Sequence, residues 1–136
     1  MGILQDKVAI VLGGSRGFGE GIARRYLREG AKVVIAARNA ERLDKVANEI
    51  GATAICSDAT ESDSLEALAK ATLEKFGRVD IAVNSAGYED NTPLRDMTPE
   101  KLEPMVAVQF TGAVYFIRHM ANAMIEIGRA SCRESV

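Results

Sequence analysis

A chain of 136 residues suits one domain with a real core, and 47% apolar content with only three prolines excludes a mainly disordered protein. Seventeen basic against 19 acidic side chains leave a formal charge of −2, which is no footprint for nucleic acid or an anionic membrane. No apolar run approaches the roughly 20 residues of a membrane span, so a soluble protein is expected. Residues 1–6 lack a basic start and a long apolar stretch, so no signal peptide is expected. Two cysteines, Cys56 and Cys132, make no disulfide framework and fit a reducing cytoplasm. His119 is the one histidine, and with no Cys/His cluster a transition-metal site is not expected.

Residues 7–12 (KVAIVL) form a compact β-branched run bounded by glycines, which predicts a buried strand. A helix follows over 17–29, with Ile22, Ala23, Tyr26 and Leu27 on one face and Gly30 just past its end. Lys32–Ala37 is a second strand, apolar on both faces as parallel-sheet interiors are. The second helix, over 39–50, opens on Asn39 and spaces Leu43, Val46, Ala47 and Ile50 for one buried face. Residues 53–57 give a short third strand, and Ser62–Phe76 a helix burying Leu65, Leu68, Thr72, Leu73 and Phe76. The fourth strand is 79–84. Strict strand–helix alternation with short loops is the pattern of a doubly wound parallel α/β sheet.

Beyond Gly87 the pattern changes. Residues 88–97 are a polar loop, and Thr98 with Pro99 then opens a helix as cap and first residue. Apolar positions continue to Ile125 as one long or two abutting helices, and Pro104 should bend them.

Between the first strand and first helix lies Leu12-Gly13-Gly14-Ser15-Arg16-Gly17-Phe18-Gly19. Glycines there let the backbone turn sharply toward a pyrophosphate, while a helix N-terminus offers free N–H groups and a positive dipole end. A tight strand-to-helix turn is the plainer alternative. NAD-preferring sheets usually place an acid at the end of the second strand for the ribose hydroxyl. Here Ala36-Ala37-Arg38 has none; Arg38 is placed for a 2′-phosphate, and Arg16 offers a second cation. NADP(H) is therefore expected over NAD(H). Asp58 suits a hydrogen bond from an adenine amino group, or a plain helix-start acid. Small residues in Asn84-Ser85-Ala86-Gly87 let the chain run beside a ribose, or simply turn.

Taken in this order on this strand pattern, Gly13, Gly17 and Gly19, then Asp58, then Asn84-Ser85-Ala86-Gly87 resemble the short-chain dehydrogenase/reductase family over residues 1 to 125. The resemblance implies a Rossmann-type sheet, truncated here after the fourth strand in the order 3-2-1-4. It also implies NAD(P)(H)-dependent carbonyl reduction or alcohol oxidation on a small-molecule substrate, by a full-length protein that is a homo-oligomer. It places Gly13, Ser15, Arg16, Gly17, Phe18, Gly19, Arg38, Asp58, Ala59, Asn84, Ala86 and Gly87 against the cofactor.

Several departures matter. Leu12 stands where the family has Thr, removing a hydroxyl that ties the glycine loop to the fourth-strand turn. Gln109 takes the place of a helix Asn that holds a kink and a relay water; a core-edge amide is the plainer alternative. The family's general acid/base is the Tyr of a Tyr-x-x-x-Lys motif. Here Tyr26 is followed four residues on by Gly30, Tyr88 by Thr92 and Tyr115 by His119, so no catalytic residue is assigned.

Residues 126–136 (EIGRASCRESV) lack the apolar run of a central fifth strand. Back-translated with ordinary codons, much of this stretch resembles a widely used short-read sequencing adapter. The expected organisation is residues 1–125 as the cofactor-binding part of one Rossmann domain, with 126–136 an assembly artefact. Such a chain leaves the fourth strand as an edge and an apolar face uncovered, and is expected to be marginally folded or aggregation-prone. The competing readings are a non-catalytic dinucleotide-binding or redox-sensing module, and an S-adenosylmethionine methyltransferase. Arg38 argues against the latter, which wants an acid there. His119, without an evident partner, reads as a helix-surface or interface residue.

Overall fold

The structure, a computed structural model, describes the backbone of residues 2–134 and the side chains of residues 2–128. Four strands, β1 (Val8–Leu12), β2 (Lys32–Ala37), β3 (Thr53–Cys56) and β4 (Ile81–Asn84), form one parallel sheet in the order β3-β2-β1-β4. This is the predicted Rossmann-type order. Helices α1 (Gly17–Arg28), α2 (Ala40–Ile50) and α3 (Ser62–Phe76) connect the strands within a residue or two of the expected bounds. Asn39 caps α2, its side-chain oxygen accepting from the Arg42 N–H at 3.0 Å.

Both faces of the sheet are covered, because alternate residues of the central strands point to opposite sides. Ala9, Val11, Val33 and Ile35 pack with Ala23 of α1 and Leu43, Val46 and Ala47 of α2. Ile10, Leu12, Val34 and Ala36 pack instead with Leu65 and Leu68 of α3 and Phe116 and Met120 of a later helix. Burial of each large aliphatic side chain stabilises by about 1.5–3 kcal/mol relative to exposure, so β1, buried along its whole length, anchors the fold.

Residues 88–97 hold a short 3-10 turn at Leu94–Asp96, followed by α4 (Pro99–Val106), a π-helical turn (Ala107–Thr111) and α5 (Gly112–Glu134). The helix runs through Pro104, and the irregularity predicted there falls one turn later. The Gly112 N–H reaches back five residues to the Ala107 carbonyl, and the Thr111 hydroxyl donates to the same oxygen at 3.2 Å. Thr98 occupies the cap position without a side-chain capping bond; only its carbonyl serves the helix, accepting from Lys101 and Leu102. The backbone stays helical past the expected end at Ile125 through Glu134, while the Cys132 side chain lies outside the described residues.

His119 requires a correction. It is buried between α5 and α3, and its Nε2 lies 2.9 Å from the Ser62 hydroxyl oxygen. Residue 119 falls on the stripe that α5 turns toward the sheet, beside Phe116, Met120 and Ala123. By contrast Val114, Ile117 and Ile125, on the rest of the helix, are exposed, and β4 is an edge strand, as the sequence predicts.

Candidate functional site: the cleft above the strand ends

Strand register sets the site. Leu12 pairs with Ala36 on one side and Asn84 on the other, so the loops leaving β1, β2 and β4 start at one level. Together with the loop after β3 they enclose a cleft of about 580 Å³. All the predicted site residues border it except Gly19 and Asn84. Gly19 is buried behind the glycine loop. The Asn84 side-chain oxygen accepts from the Ala86 N–H at 3.1 Å, which folds the turn that brings Ala86 and Gly87 to the cleft.

The glycine loop meets the β4 turn through backbone alone. Gly13 has φ 78°, its N–H donates to the Ala36 carbonyl at 2.7 Å, and a Cβ there would lie 2.7 Å from the Ser85 carbonyl carbon. The Ser85 N–H donates to the Leu12 carbonyl at 2.8 Å. Leu12, having no hydroxyl to offer this junction, sends its side chain into the core instead.

Helix α1 starts at the cleft with no side chain capping it: Arg16 holds the cap position in extended conformation, its own side chain bonded to none of the first-turn donors. Those N–H groups have no intrahelical acceptor and carry the positive end of the helix dipole. Arg16 and Arg38 border the cleft, both exposed, and form no ion pair among the described residues. Phe18 stands 89% exposed at the rim.

Asp58 is fixed by its own loop. Its Oδ1 accepts from the Thr60 hydroxyl at 2.7 Å and the Thr60 N–H at 2.8 Å. These bonds, the hydroxyl's first, hold the carboxyl below the usual range against modest burial, and the Arg38 charge adds to the effect. The site is therefore a cleft with glycine backbone on one wall, two guanidiniums, and a carboxylate poised in its ionised form.

Sequence reasoning missed Thr60, whose Asp-x-Thr spacing was a readable signal. Tyr88 and Glu89, at the start of the polar loop 88–97 that the sequence offers as a pocket edge, do line a wall of the cleft, and Val108 beside them was not foreseen. Gln109 belongs to that wall: its Nε2 donates to the Tyr88 carbonyl at 2.7 Å, so the longer amide ties the π-helical turn to the β4 loop.

This topology and cleft define a Rossmann-type α/β protein. The family model described as short chain dehydrogenase matches residues 7–132, and the chain belongs to that family. It is 37% identical over 128 residues to sorbitol dehydrogenase of Cereibacter sphaeroides, an alignment covering 93% of this chain and 50% of that protein. Among solved structures, a short chain dehydrogenase from Mycobacterium smegmatis superposes with a TM-score of 0.87 at 33% identity, over 90% of this chain and 53% of that one. A 3-ketoacyl-(acyl-carrier-protein) reductase from Brucella melitensis, complexed with NADH, gives 0.86 at 34% identity, over 94% and 54%. The chain thus spans about half the length of the relatives it matches.

Proposed function

We propose that the chain is the cofactor-binding part of an NADP(H)-dependent oxidoreductase acting on a small carbonyl or alcohol substrate. The observation that carries this reading is the convergence of the glycine loop, the uncapped α1 start, Arg16, Arg38 and Asp58 on one cleft. The residues fit a dinucleotide: the cradle at Gly13 is one a side chain would fill, and the first-turn N–H groups suit a pyrophosphate. In this reading Ser15, Gly17 and Phe18 border the phosphates with Gly19 behind them. Arg16 and Arg38 hold the 2′-phosphate, Asp58 and Ala59 the adenine, and Asn84, Ala86 and Gly87 the ribose. When bound, a nicotinamide dinucleotide supplies or accepts the hydride exchanged with a carbonyl carbon. The protein groups bind and orient it; no Tyr-x-x-x-Lys stands in these 136 residues to move the accompanying proton.

Fluorescence titration with NADPH and NADH tests the assignment. Arg38→Asp should weaken NADPH binding by about tenfold or more and leave NADH nearly unchanged. Unchanged NADPH affinity would remove the 2′-phosphate from Arg38. The chain should also show no NADPH-dependent ketone reduction above background, and measurable turnover would refute the missing-pair argument.

The reading extends to a cytoplasmic setting and to homo-oligomerisation of the full-length protein. The oligomer is supported by the exposed Val114, Ile117 and Ile125 on α5. Among the described residues no helix is long and apolar enough to cross a membrane. Residues 126–136 are read as foreign to the native frame, and long-read sequencing of the source locus past the Ile125 codon decides that point.

A further inference from the structure

The loop between β3 and α3 forms the cleft wall with Asp58, Ala59 and Thr60, yet these residues belong to no strand or helix. Its internal bonds are local: besides the Thr60 pair, the Asp58 N–H donates to the Ser64 hydroxyl oxygen at 2.8 Å. Helix α5 holds the loop from outside at two heights. At its first residue, Gly112 lies so close beneath the loop that a Cβ would run into the Ala59 carbonyl oxygen. Seven residues on, about two helical turns, the ring of His119 meets Ser62.

That second contact is out of keeping with its surroundings. The seam between α3 and α5 is apolar, built from Leu65, Leu68, Phe116, Met120 and Ala123. A directional hydrogen bond, here half-buried, adds to apolar packing a preference for one register along the helix. Either ring tautomer makes the bond, since the hydroxyl both donates and accepts. Ser62 is the first residue of α3, two positions from Thr60, so fixing it fixes the end of the loop that carries Asp58. The same helical rod continues back through the π-helical turn to Gln109, bonded to the Tyr88 carbonyl on another wall of the cleft.

We propose that His119 and Ser62 are positioning residues for the Asp58 side of the cleft. Their hydrogen bond, with the Gly112–Ala59 approach, fixes the register of α5 on the β3–α3 loop and thereby sets affinity for the adenosine end of the ligand. Neither residue touches that ligand. The inference rests on reading the cleft as a dinucleotide site.

The test uses the 136-residue chain and two probes, NADPH and adenosine 2′,5′-bisphosphate, with thermal unfolding of each variant in parallel. The parent comes first. If it binds neither NADPH nor NADH, the dinucleotide reading fails and this inference falls with it. If it binds, Ser62→Ala and His119→Ala should each weaken the bisphosphate about three- to tenfold, the range of one hydrogen bond. The double variant should be no worse than the weaker single. His119→Gln, which restores a donor and acceptor at similar reach, should recover affinity to within about twofold even where its melting temperature stays lowered. A merely structural role would move affinity and melting together, and Gln would rescue neither. Parent-like affinity in Ser62→Ala, the milder change at a half-buried position, overturns the proposal, as does failure of His119→Gln to rescue.

Discussion

The two ends of the sheet use the same kinds of side chain in opposite ways. At the start of β4, Asp80 is fully engaged: its Oδ2 accepts from the Val8 N–H at 2.8 Å, and Arg78 donates to both carboxylate oxygens. Its own N–H returns a bond to the Val8 carbonyl at 2.9 Å. At the other end, beyond β3, Asp58 accepts through Oδ1 only, and Arg16 and Arg38 pair with no carboxylate among the described residues. One end satisfies its polar groups internally and clamps β1 to β4. The other keeps charge, hydrogen-bonding capacity and open space together, an arrangement suited to a ligand more than to holding the sheet.

The largest effect should come from the cleft end. In Gly19→Ala the new Cβ would run into the Gly13 carbonyl oxygen, which belongs to rigid backbone rather than a movable side chain. NADPH affinity should fall by about a hundredfold or more, read by fluorescence titration with circular dichroism to follow folding. Parent-like binding would show that the glycine loop is not the cradle. At the opposite end, Asp80→Ala leaves the Val8 N–H and the Arg78 guanidinium without their acceptor. Urea unfolding should report a loss of about 1–3 kcal/mol, while NADPH affinity stays within about twofold. A large affinity loss there would erase the division between the two ends.

Much of this division was legible in the sequence, and the reasons are physical. Val8–Leu12 and Lys32–Ala37 announce a parallel sheet because strands covered on both faces cannot alternate with polar residues. The glycine spacing announces the cleft because the close backbone approach at Gly13 constrains residue type locally. What escaped depends on contacts between distant segments. The His119–Ser62 pair spans 57 residues, and the Gln109–Tyr88 bond joins a helix to a loop 21 residues earlier. The π-helical turn was hidden for a related reason. It adjoins Gly112, which fits closely under Ala59 of a distant loop, whereas Pro104, the local signal, sits inside a helix that continues past it. Thr98 misled in the opposite direction, a residue of the preferred type at the cap position that makes no capping bond.

Acid titration separates the two carboxylates most finely. Burial pulls the Asp80 carboxyl upward, but the Arg78 hydrogen bonds and the Val8 N–H overcome it and hold it below the usual range. Asp58 is held low by Thr60, with Arg38 assisting. For both, the unfolded chain binds its proton more readily than the folded one. The stabilisation is therefore fully present above the unfolded value of about 4 and is lost as pH falls through the folded value. The amounts should differ, because linkage counts only what the unfolded chain lacks. The Asp58–Thr60 and Asp80–Arg78 contacts each span two residues and can form locally in the unfolded ensemble, so the difference rests on the Asp80–Val8 contact, which spans 72 and exists only in the folded sheet. Urea unfolding between pH 3 and 6 should accordingly show the acid-side loss of stability reduced in Asp80→Asn and nearly unchanged in Asp58→Asn. Equal flattening by both would mean that Asp58, like Asp80, is there to hold the sheet together, and the cleft would lose its poised carboxylate.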